Sequence, residues 1–79
     1  MKRMNKIRAV EEFQRLYKDL YLSRADYWRG QEAWSEYTDH LCKLGLITQR
    51  QYDRWSAPFP EGKPLRPTRR MLESVVYET

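Results

Sequence analysis

The chain has 79 residues, with 15 Lys and Arg against 11 Asp and Glu, three Trp, six Tyr and two Phe. That length holds one hydrophobic core and no second domain, near the lower limit for folding without a disulfide, a metal or a partner. A single cysteine, Cys42, excludes an internal disulfide, a single His40 leaves too few soft ligands for a zinc site, and no apolar run of about eighteen residues or apolar leader occurs. A cytoplasmic protein with no membrane segment and no cofactor is therefore expected.

The formal charge of +4 is modest, but it is unevenly distributed. Residues 1–24 carry seven basic and three acidic groups, 25–62 carry four and six, and 63–79 carry four and two. Opposite charge could dock the two basic ends on the acidic middle, or the ends could stay free to meet an acidic partner.

Ala9, Phe13, Leu16 and Leu20 recur at helical steps, with Val10, Tyr17 and Tyr21 beside them, and predict a first helix over about 5–21. Ser23 and Asp26 form a capping box, with Leu22 and Tyr27 as its staple, so a second helix is expected over about 24–44. Its apolar stripe is Tyr27, Gly30, Trp34, Tyr37, Leu41 and Leu44. Glycine on the inward face costs about 1 kcal/mol of propensity against alanine, so Gly30 marks either a close crossing by another helix or a local kink. Gly45 reads as a left-handed C-cap with Leu46 contacting Leu41, and Thr48 with Gln51 as a second capping box stapled by Ile47 and Tyr52. A third helix over about 49–56 carries only Tyr52 and Trp55 on its apolar face, so it must lie against the second as a hairpin.

Four prolines and Gly62 lie between Ala57 and Pro67, which predicts an extended connector over 57–67, pinned by Phe59. Thr68 then caps a C-terminal segment, 68–79. Met71, Leu72, Val75 and Val76 share a helical face there, although Val75 to Tyr77 also suits a short strand or a frayed tail. The expected fold is thus all-α: a three-helix domain over 1–56, a Pro-rich arm, and a short final helix on the same domain.

No catalytic constellation is visible. Cys42 and His40, two residues apart on a helix, point about 200° apart and cannot readily form a dyad. Glu32, Glu36 and Asp39 share one face away from the apolar stripe, where their ordinary role is solubility. Leu41 to Trp55 superficially resembles a DNA-reading helix-turn-helix, with Gln49, Arg50 and Gln51 opening its second helix. In that family, however, apolar residues are expected where Gln51 and Arg54 stand.

Basic residues cluster as Lys2, Arg3, Lys6 and Arg8 and as Lys63, Arg66, Arg69 and Arg70. Sequence-independent nucleic-acid binding would need both clusters on one side, with exposed aromatics for stacking. Trp28 stands off the main stripe, and Trp, Tyr and Arg concentrate binding energy at protein interfaces. The candidate partner-binding residues are therefore Trp28, Phe59, Arg66, Arg69 and Arg70. A protein partner is the leading expectation, nucleic acid the alternative, and a self-association module, as a homo-oligomer, the third.

Lys43 to Tyr52, with its Gly and Ile-Thr followed by an aromatic, resembles the helical hairpin of short C-terminal oligomerisation modules. A wider pattern of Trp34, Tyr37, Asp39, Leu41, Gly45, Ile47-Thr48, Gln51-Tyr52, Trp55 and Pro58-Phe59 is similar to small open reading frames of tailed bacteriophages. That resemblance covers about a third of the chain and implies an accessory factor that binds host or phage proteins, with no assigned active residues.

Overall fold

The computed structural model describes the backbone of residues 3–78 and side chains as far as Glu73. It is all-α, with five helices and no strand among the described residues. Helix α1 spans Lys6–Leu16 and α2 Lys18–Leu22, where a single helix is predicted. Asn5 caps α1 by accepting from the Arg8 amide at 2.9 Å. The break falls at Tyr17 (φ −110°, ψ 29°), without Gly or Pro. Tyr17 and Tyr21 both flank Phe13, with ring centroids at 4.8 and 6.2 Å. Leu16, on the predicted stripe, is turned to solvent instead.

Helix α3 spans Tyr27–Lys43 and begins later than predicted, because Arg24 adopts a left-handed conformation (φ 54°) that closes α2. The Arg24 amide donates to the Tyr21 carbonyl at 3.1 Å and the Ala25 amide to that of Leu20 at 3.0 Å, the paired bonds of a Schellman motif. Asp26, not Ser23, is the cap of α3, accepting from the Arg29 amide at 2.8 Å. An L-residue in the left-handed region costs about 1–2 kcal/mol. Arg24→Gly is therefore expected to raise stability by about 0.5–1 kcal/mol after the added freedom of the unfolded chain is deducted. A higher urea midpoint with an unchanged m-value would show it; a lower midpoint would contradict it.

The inward face of α3 is buried as predicted at Gly30, Trp34, Tyr37 and Leu41, joined by Ala33 and Thr38. The Thr38 hydroxyl is satisfied by donating to the Trp34 carbonyl at 2.9 Å. Leu44 does not join this face, because Gly45 (φ 76°) turns the chain and half-buried Leu46 packs on the core in its place. Amides of Gly45 and Leu46 donate to the carbonyls of Cys42 and Leu41, both at 3.0 Å.

Helix α4, Gln49–Arg54, packs beside α3 and opens on the predicted capping box of Thr48 and Gln51. Gln51 accepts from the Thr48 amide at 2.8 Å through Oε1 and donates to the Met4 carbonyl at 3.2 Å through Nε2. The Met4 amide donates to the Leu46 carbonyl at 2.8 Å, so the chain start lies against the hairpin turn. Ile47 is buried, and Tyr52 and Trp55 are half-buried against the core. The helix ends before Trp55, whose extended backbone (φ −74°, ψ 124°) leads into the segment that Pro58 holds out of the helical region.

The Pro-rich arm is part of the core. Leu65 is fully buried, its amide donates to the Ala25 carbonyl at 2.8 Å, and its Cδ1 lies 2.6 Å from where a Cβ on Gly30 would stand. Phe59 Cζ lies 3.0 Å from the same point. The close approach predicted at Gly30 is thus made by the arm, not by another helix. Thr68 caps the last helix, α5 (Arg69–Glu78), accepting from the Met71 amide at 3.2 Å. Helix α5 packs on α2 with Met71 buried and Leu72 half exposed. The predicted contribution of Val75 and Val76 lies outside the described side chains.

Phe13 sits at the centre, fully buried, with the Trp34 ring edge-on at 5.1 Å and the Tyr37 ring at 5.7 Å. Burial, and then the nearby Glu12 carboxylate, pushes the Tyr37 hydroxyl up to about 12. Extents of 38 × 28 × 15 Å make a flat molecule whose short axis is about two packed helices thick.

Candidate interaction surface

One face of α1 is polar by the same periodicity that makes the other apolar: Arg8, Glu11, Glu12 and Arg15 return at helical steps, and Lys18 at the start of α2 continues them. This face lines a cleft of about 500 Å³ whose opposite wall is Thr68, Arg70 and Met71 from the start of α5. A smaller cleft of about 250 Å³ adjoins it, sharing Gln14 and Thr68. There the arm contributes Phe59, Lys63 and Arg66, and Tyr21 contributes a buried side chain. The Tyr21 hydroxyl is buried beside Gln14, and burial raises its pKa.

The charges around these clefts are unequally matched. Arg15 pairs with Glu12 one helical turn away, and Arg69 pairs with Glu73 at 3.4 Å. Arg8, Lys63, Arg66 and Arg70 have no carboxylate partner among the described residues. The Arg8 of one basic end and the Arg70 of the other, separated by most of the chain, therefore meet across one cleft. Lys2 of the N-terminal cluster lies outside the described residues.

The five sequence-selected residues fall into three places. Phe59 and Arg66 line the smaller cleft and Arg70 the larger, whereas Arg69 faces outward with its Glu73 partner. Trp28 is 74% exposed and stands apart from both clefts, but a chain of edge-on rings links it to them. Its ring lies 5.2 Å from that of Tyr27, which lies 5.7 Å from that of Phe59. Phe59 thus has a structural role against Gly30 and Tyr27 as well as a place on the cleft wall. Sequence reasoning did not select Arg15, Lys18 or Gln14. The recurrence of basic residues at 8, 15 and 18 was the available signal.

Elsewhere the polar side chains are unremarkable. Cys42 is half-buried with Sγ 3.8 Å from Gln49 Oε1, and His40 is exposed. Glu32 and Glu36 are exposed, and Asp39 pairs with Lys43 at 3.0 Å. No helix among the described residues is long and apolar enough to cross a membrane. No family model, curated protein or solved structure matches this chain.

Proposed function

We propose that this chain is a non-catalytic, cytoplasmic binding protein, an accessory factor of the phage type that its wider pattern from Trp34 to Phe59 resembles, which acts by holding another protein. The observation that carries this reading is Trp28, 74% exposed in a chain whose core is small. A tryptophan left in water forgoes a large burial gain, which is recovered when a partner covers it, and such residues beside arginines dominate interface energies. The Trp28 ring also has a neighbour of its own, Tyr27, which lies edge-on to it and is in turn edge-on to Phe59.

Affinity capture with the intact chain as bait tests this reading. Trp28→Ala combined with Arg69→Ala alters two exposed side chains, so helicity by circular dichroism is expected to be unchanged while capture of the same partner weakens. Undiminished capture would refute the role of these two side chains. A nucleic-acid reading is favoured by one observation, the meeting of Arg8 and Arg70 across a single cleft. A gel shift whose affinity falls steeply with salt would support it, and no shift at low salt would remove it.

A further inference from the structure

We propose that the two adjoining clefts between α1, the arm and α5 take an extended acidic segment of the partner protein, with Arg8, Arg70, Lys63 and Arg66 as its carboxylate-binding groups. The inference rests on the binding-protein reading above and specifies the chemistry of what is bound.

Charge complementarity carries it. Four cations with no carboxylate partner among the described residues line the two adjoining clefts, where Glu11 is the one lining acid without a cationic partner among the described residues. Backbone dipoles add to the same sign. Neither α1 nor α5 has an acidic residue in its first turn, and Arg8 and Arg70 occupy those turns. A cation there opposes the helix dipole, so an arriving carboxylate relieves two unfavourable interactions at once. The dimensions suit a short peptide. From Arg8 to Arg15 the rise of α1 gives a length of about 10 Å, enough for about three extended residues.

The walls favour a peptide over a nucleic-acid strand. A strand carries a phosphate on every unit and cannot avoid Glu11 and Glu12, whereas a peptide can place a neutral or basic residue opposite them. Met71 in the larger cleft and Pro58, Phe59, Pro60 and Pro64 in the smaller offer apolar ground for side chains between the acids.

Fluorescence anisotropy with a labelled peptide of Glu-Ala-Pro repeats, which stays extended and monomeric, tests the proposal against an oligothymidylate of equal charge. The intact chain should bind the peptide saturably and more tightly than the oligonucleotide. Arg8→Gln with Arg70→Gln should weaken peptide binding by roughly ten-fold, as expected for losing two charge-assisted contacts. Both residues are exposed, and Gln at the start of α5 removes a charge that opposes the dipole, so unfolding should not mask the result. The proposal is overturned by absence of saturable peptide binding at low salt, by tighter binding of the oligonucleotide, or by unchanged affinity in the double variant. It is equally overturned if sedimentation shows a self-associated chain that the double variant dissociates, since a second copy would then be the occupant. Partner capture that depends on Trp28 but not on the cleft cations would defeat this proposal and leave the binding-protein reading standing.

Discussion

Phe13→Ala is expected to remove about 3–5 kcal/mol of stability, the range for truncating a fully buried phenylalanine. A chain this long has a total of about 4–12 kcal/mol at the usual per-residue margin, so the loss removes a large share of its stability. Position explains the size of the effect. Phe13 is fully buried, with ring contacts to Tyr17, Tyr21, Trp34 and Tyr37 on α1–α2 and α3, so its removal empties the centre that these elements share. Phe13→Leu, which keeps most of the volume, should cost far less. Urea unfolding followed by circular dichroism and tryptophan fluorescence would measure both; a loss below about 1 kcal/mol for the alanine variant would contradict this account of the core.

The second large effect is expected where the arm meets α3. Leu65→Ala should cost about 2–5 kcal/mol because the side chain is fully buried and its void cannot fill with water at little cost. Gly30→Ala in the native background should be destabilising by about 1 kcal/mol, the overpacking against Leu65 and Phe59 outweighing the helix-propensity gain. In the Leu65→Ala background its sign should reverse, because the new methyl enters the space that Leu65 leaves. A double-mutant cycle should therefore give a coupling of about 2 kcal/mol. Simple additivity would mean that the arm does not press on Gly30.

What was legible in the sequence was what repeats along a single element. The stripe of α3, the Gly45 closure and the Thr48–Gln51 box all lie within a few residues and follow from local geometry. The break at Tyr17 was hidden because the apolar period runs on through it, with no Gly or Pro to announce it. Ser23 and Asp26 are both good caps, and only the left-handed turn at Arg24 decides between them. Leu65 was invisible for another reason: one apolar residue among prolines has no period, so the segment reads as a connector although it closes the core. The clefts were beyond reach because they juxtapose Arg8 with Arg70 and Phe59 with Tyr21, pairs set by how three segments cross.

The amide at position 51 links two parts of the chain that are far apart in sequence. A glutamate, equally at home in that role at the front of a helix, could still receive the Thr48 proton. It would have none to offer Met4, and would set a negative oxygen against the carbonyl there. The neutral residue therefore acts as a buckle, so that the opening residues of the polypeptide fasten onto a bend formed more than forty positions later.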